Sequence, residues 1–230
     1  RGWYDAKFVK EFTAFPLLVR TDNLRRLRPQ DVIRGYQNQD ISGGPSFKIH
    51  GLTPKMRDAV GDFMVWDKGK NEAVPITRDD VGRHLGEKNL DPALEGTFTV
   101  KLVNGQEIEV MPLFEAYKSH HLKDYDLDTV HEITHSPKEL IEQLAKDIAT
   151  IKPVAIHEGE GINHWFHATM INRASYLPLS LTGNIGRPGA GSHTWAGNYK
   201  AALFQGSDWS GPGFKGWIVE DPFNPNLDPM

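Results

Sequence analysis

The stretch Lys152-Pro153-Val154-Ala155-Ile156-His157-Glu158-Gly159-Glu160-Gly161-Ile162-Asn163-His164 changes character at its middle, and that change decides the fold. Residues 152–156 read as a buried strand, Gly159 and Gly161 as a turn, and a long apolar helix follows over about 165–181. Helix, strand, glycine turn, helix is the grammar of an α/β domain whose ligand sits beyond the carboxyl end of a strand. The predicted fold class is therefore α/β.

Upstream, Ser136-Pro137-Lys138-Glu139 reads as a capping box with proline at the first helical position. It opens a helix that carries Leu140, Ile141, Leu144 and Ile148 on one face. Leu127, Val130 and Ile133 share the inward face of a shorter helix, and Leu113, Phe114 and Tyr117 begin another that runs to about Leu122. Residues 1–111 are strand-rich. The apolar run 14–20 and the run 63–67 suit short strands, and residues 37–60 are mixed and Gly-rich. Residues 97–103 and 106–110 flank Asn104-Gly105, a pair that tolerates the positive φ of a tight hairpin turn. The expected layout is one partial region: a strand-rich part with a hairpin over about 1–111, an α/β part over about 112–191, and a loop-rich extension over 192–230.

His131-Glu132-Ile133-Thr134-His135 matches the H-E-x-x-H pattern of zinc hydrolases, which needs both histidines on one face of a continuous helix. Here the second histidine stands immediately before the expected cap Ser136, and Ser136 precedes a proline that disfavours helical backbone. The expected reading is a polar helix end, with no metal ligand in the chain.

Composition narrows the possible functions. With 39% hydrophobic and 24% charged residues the 230-residue chain is ordinary globular material. A net charge of -4 without a basic cluster argues against nucleic acid as the main partner. No window approaches 18 apolar residues and no charged n-region precedes an apolar run, so neither a membrane span nor a signal peptide is expected. The absence of cysteine excludes disulfides, thiolate zinc sites and iron-sulfur ligation by this stretch. An internal fragment of a longer protein is the expectation.

Two glycine loops carry the functional signal. Gly159 and Gly161, directly after the strand, let the backbone approach a bulky ligand and suit a phosphate or pyrophosphate. Position 164 is His, so the G-x-G-x-x-G fingerprint fails, and no P-loop lysine is present. The second loop, Leu181-Thr182-Gly183-Asn184-Ile185-Gly186-Arg187-Pro188-Gly189-Ala190-Gly191, holds four glycines in nine residues. A helix C-cap explains Gly183 but not Gly186, Gly189 and Gly191. On the residues alone, a cofactor loop and a structural turn both remain open.

The run G-x-G-x-N-H-W-F-H from Gly159 to His167, then Asn172-Arg173-Ala174, then the loop from Leu181 to Gly191, resembles the molybdopterin oxidoreductases of the dimethyl sulfoxide reductase family. Phe15-Pro16-Leu17-Leu18-Val19-Arg20-Thr21-Asp22 and Val130 to Pro137 are similar to elements of its type II branch, which includes nitrate reductase and nitrite oxidoreductase alpha subunits. The runs 195–206 and 211–217 look most like nitrite oxidoreductase.

The resemblance implies a fragment of a multi-domain enzyme: an α/β cofactor-binding lobe with a β-hairpin insertion. It implies molybdenum bound by two molybdopterin guanine dinucleotides, with Gly159, Gly161, Asn163, His164, Gly183, Asn184, Gly186, Gly189 and Gly191 against the cofactor. The local alternatives are Asn163 as a helix cap and His164 or His167 as satisfied histidines. The implied reaction is nitrite to nitrate or its reverse, and the implied partners are nitrite or nitrate and an iron-sulfur beta subunit. A cluster in the parent subunit would be ligated elsewhere, as would the molybdenum, so no catalytic residue is assigned here and the compartment is undecided. The contrasting expectation is a non-catalytic module that retains the fold.

Overall fold

Asp5 starts the first helix: its carboxylate accepts the Phe8 N–H at 2.9 Å, opening α1 (Ala6–Phe12). In the computed structural model, which describes residues 2–194, the chain divides into two compact units. One comprises 1–151 with 180–183, the other 152–179 with the residues from 184. The runs 195–206 and 211–217 lie outside the described residues.

In the first unit, β1 (Leu18–Arg20) is shorter than the apolar run around it. Pro16 has no N–H to give to a ladder, and Leu17 makes an isolated bridge to Val65 outside the strand. The stretch 29–60, which shows no period, holds three short helices that each begin on proline: α2 (Pro29–Val32), α3 (Pro45–Lys48) and α4 (Pro54–Val60). β2 (Phe63–Asp67) pairs antiparallel with β3 (Glu72–Ile76), a strand the alternation did not reveal because Pro75 interrupts it. After α5 (Arg83–Glu87), β4 (Phe98–Lys101) and β5 (Glu107–Pro112) form the expected hairpin, and β5 also pairs with β1.

The hairpin turn is tight, though not built on two left-handed residues. Gly105 N–H donates to Leu102 O at 2.8 Å, and only Gly105 takes positive φ, at 91°. Asn104 instead accepts the Gln106 N–H on its side chain at 3.0 Å. Leu18, Leu27, Met64, Val100, Leu102, Ile108 and Val110 make the main core, and Trp66 stacks on Phe98 at 4.2 Å.

The helical period from 113 onward is present. α6 (Leu113–Ala116) runs into a π-helical turn (Tyr117–His121), followed by α7 (Leu127–Thr134) and α8 (Lys138–Thr150). The capping box at Ser136 does not form. The N-cap of α8 is Pro137, whose carbonyl accepts the Leu140 and Ile141 N–H groups, while the Ser136 carbonyl is taken by His131.

A buried ion pair secures the stretch between α2 and β2. Asp62, fully buried, bonds the Arg57 guanidinium through one oxygen and accepts Tyr36 O–H at 2.6 Å and Gln39 N–H at 2.9 Å through the other. Burial first, and the hydrogen bond to Asp62 second, push the Tyr36 phenol up to about 12 from 10.0. The folded state therefore holds the Tyr36 proton more tightly than the unfolded chain does. The resulting stabilisation is complete below pH 10 and is lost as pH rises from 10 to about 12. Replacing Tyr36 by Phe is expected to flatten that part of the alkaline denaturation curve, and an unchanged curve would show that Tyr36 does not contribute.

Candidate cofactor-binding site

In the second unit β6 (Ala155–Glu158) is followed by α9 (Glu160–Asn163), α10 (Ala168–Leu181, its last residues in the first unit) and β7 (Gly191–Thr194). β6 and β7 pair in parallel, from Ala155↔Gly191 to Glu158↔Thr194. This is a strand-helix-strand crossover, the unit expected of an α/β lobe. The strand lies three residues later than expected at its start, and the long helix begins at Ala168, not Trp165. A break after α9 separates the two helices, with His167 at φ 65°.

The first glycine loop stands at the carboxyl end of β6. Gly159 and Gly161 have no heavy atom within 4 Å of where a Cβ would stand, so none of the described residues fills the space beside them. Asn163 and His164 are exposed, and the next two side chains, Trp165 and Phe166, are 72% and 87% exposed. Asn163 does not cap α10; its side-chain Oδ1 accepts Asn172 Nδ2–H at 2.9 Å. His164 ends α9 at φ -90°, and His167 lies 4.2 Å from the Phe166 ring, centre to centre.

Glu158, which the sequence reading passed over, is central here. Its Oε1 accepts Ser192 Oγ–H at 3.2 Å and also bonds Ser175, tying β6 to β7 and α10. Its Oε2, next to Gly159, is buried with no hydrogen-bond partner among the described residues. The available signal was a carboxylate directly preceding the glycine turn. Across the ladder His157 and His193 stack at 4.9 Å.

The second loop lies at the other end of the ribbon. Because the pairing is parallel and Gly191 sits opposite Ala155, this loop meets the amino end of β6, roughly 13 Å along the strand from Gly159. The two loops do not converge on a point. Gly183, Gly186, Gly189 and Gly191 all have positive φ, at 66°, 74°, 77° and 115°. Gly186 and Gly191 are open beside the Cα, while a Cβ on Gly189 would stand 3.4 Å from Pro153 Cγ.

Gly183 and Asn184 do not face open space. A Cβ on Gly183 would meet Asp5 Oδ2 at 2.8 Å, and Asn184 is fully buried with its Oδ1 accepting Val154 N–H at 3.0 Å. Gly183 thus stands against the start of α1, and Asn184 holds the backbone ahead of β6.

The H-E-x-x-H histidines are separated by backbone geometry. α7 ends at Thr134, His135 turns left-handed at φ 57°, and His131 Nδ1 donates to Ser136 O at 2.7 Å. The two imidazoles thus do not share a helical face, which a zinc hydrolase requires. Among the described residues no helix is long and apolar enough to cross a membrane.

No family model matches the chain. It is 33% identical over 210 residues to the perchlorate reductase subunit alpha of Dechloromonas aromatica, covering 88% of this chain and 22% of that protein. It is 31% identical to the respiratory nitrate reductase subunit alpha of Haloferax mediterranei, covering 89% and 20%. It is likewise 31% identical to the chlorate reductase subunit alpha of Ideonella dechloratans, covering 84% and 18%. The chain is therefore a relative of the molybdopterin oxidoreductase alpha subunits that its own motifs resemble, and it spans about a fifth of their length.

Proposed function

We propose that this chain is the part of a molybdenum oxidoreductase alpha subunit that holds one flank of a molybdopterin guanine dinucleotide. The observation that carries the reading is the end of β6. An open glycine pair, an unpartnered buried acceptor on Glu158 and exposed Asn163 and His164 stand together where a parallel crossover leaves its ligand crevice. These residues fit a long heterocyclic ligand: the glycines admit a flat ring against the backbone, and Glu158 supplies an acceptor for a ring N–H. Gly186, Gly189 and Gly191 would meet a more distant part of the same elongated molecule.

Bound molybdenum would supply the oxygen-atom and electron chemistry, while the residues of this chain position the ligand and exclude water around it. The reaction proposed for the parent enzyme is nitrite plus water to nitrate, releasing two electrons and two protons, with nitrate reduction as the alternative direction. The similarity to perchlorate, nitrate and chlorate reductases supports oxyanion chemistry at this grain, and the electrons would pass to an iron-sulfur beta subunit.

The test uses the intact parent subunit. Gly161→Val is expected to lower the molybdenum content, since a side chain that clashes in the bound state weakens cofactor affinity by tenfold for every ~1.4 kcal/mol. Gly186→Val and Gly191→Val are expected to act in the same direction, with the β4–β5 hairpin still folded. Normal molybdenum content in all three variants would overturn the reading.

A further inference from the structure

Four arginines fall within nine residues at and after β1: Arg20, Arg25, Arg26 and Arg28. They line one cleft of about 600 Å³ together with Asn23, Leu24 and Asp31. Two of the four are committed to the protein. Arg20 forks onto Asp22, with Nε to Oδ1 at 3.0 Å and Nη2 to Oδ2 at 2.6 Å. Arg28 Nη1 donates to the carbonyls of Val60 at 2.7 Å and Asp62 at 3.0 Å.

Arg25 and Arg26 have no carboxylate partner among the described residues. Asp31, the acid that lines the cleft, spends Oδ2 on the Arg28 backbone N–H at 2.8 Å. Arg26 and Arg28 both lie over the Phe63 ring, at 5.4 and 5.3 Å from its centre, so one aromatic surface holds two like charges near each other. Burial, and then the charge of Arg26, lower the pKa of the Arg28 guanidinium.

Four guanidinium charges against the carboxylates of Asp22 and Asp31 leave an excess of two positive charges, on a chain whose net charge is -4. Such a concentration is relieved by an anion, and the Arg26 fork, already ordered on the Phe63 ring, loses little freedom in binding one.

We propose that this cleft is a binding site for a dianionic oxyanion of phosphate or sulfate chemistry, gripped by Arg25 and Arg26 with Arg28 behind them. Two uncommitted forks match the several acceptor oxygens and double charge of such a group better than a monoanion. The site belongs to the first unit and does not depend on the cofactor reading.

Titration of the intact parent subunit with inorganic phosphate, sulfate, nitrate and chloride at one ionic strength tests it, followed by calorimetry. Phosphate and sulfate are expected to bind saturably, nitrate and chloride at least tenfold more weakly. Arg25→Gln with Arg26→Gln is expected to weaken phosphate at least tenfold while molybdenum content stays unchanged. Arg25→Gln alone, at an exposed side chain, is expected to weaken phosphate measurably and covers the case of a misfolded double variant. Glycerol phosphate separates the sources: tighter binding than inorganic phosphate identifies a phosphate ester, equal or weaker binding the free ion. An equal response to chloride, or wild-type affinity in folded variants, would overturn the proposal.

Discussion

Asp62→Ala is expected to destabilise the stretch between α2 and β2 by about 3–5 kcal/mol, because it leaves the Arg57 guanidinium buried without its counter-charge. Arg57 is 7% exposed, and its Nη1 is already without a partner. The same substitution strips an acceptor from Tyr36 O–H and from Gln39 N–H. Native-state hydrogen exchange in the intact protein reads the effect directly. The Gln39 amide should exchange at least about a hundredfold faster, the factor corresponding to ~3 kcal/mol. Unchanged exchange at Gln39 would mean that the network does not hold this stretch. Removing both charges, as Arg57→Leu with Asp62→Leu, should cost less than Asp62→Ala alone, since no buried charge is then left over.

The second large effect is expected at Gly183. Its φ of 66° suits glycine, and a Cβ there would stand 2.8 Å from Asp5 Oδ2 and 3.4 Å from Phe8 Cβ. Valine is poorly tolerated at such φ and adds two methyls to a buried place. Gly183→Val should cost about 2–4 kcal/mol, the range of a clash combined with backbone strain. The disturbed partner is specific, because Asp5 also caps α1 through Phe8 N–H. Protease cleavage within residues 2–12 should accelerate, whereas Gly186→Val, at an open position, should leave it unchanged. Equal cleavage of the Gly183 variant and wild type would show that the contact with α1 tolerates the added bulk.

Elements specified by their own neighbours were readable in the sequence. The period of Leu140, Ile141, Leu144 and Ile148 appears as α8, and the residues flanking Asn104-Gly105 appear as β4 and β5. The α/β character of the glycine-turn region appears as the parallel pair β6 and β7. What depends on distant partners was not readable. Arg57 and Asp62 look like surface charges in the sequence, and only the fold buries them together. The capping box was a local pattern that does not form: the chain turns left-handed at His135 and α8 is capped at Pro137 instead.

The candidate site divides in the same way. Gly159 and Gly161 were legible because glycine after a strand has a direct steric meaning, and both are open. Glu158 was not, since its role comes from Ser175 and Ser192, distant in sequence. The placement of the Gly186 to Gly191 loop at the opposite end of the ribbon follows from strand direction and register, which glycine spacing does not encode.

The return of residues 180–183 to the first unit has a consequence for synthesis. Asp5 N–H donates to Leu181 O at 2.8 Å, so the helix that opens the described chain waits for an acceptor made about 176 residues later. A ribosome that has completed α8 has not yet supplied the last piece of the unit it appears to have finished. Until the intervening strand and helices have emerged, the start of α1 must rely on its own side-chain cap, and the apolar surface of Val9, Leu94 and Phe114 lacks the covering residue Leu181. Nascent chains stalled just beyond Thr150 should therefore expose that surface to chaperones, and chains stalled well past Gly183 should not.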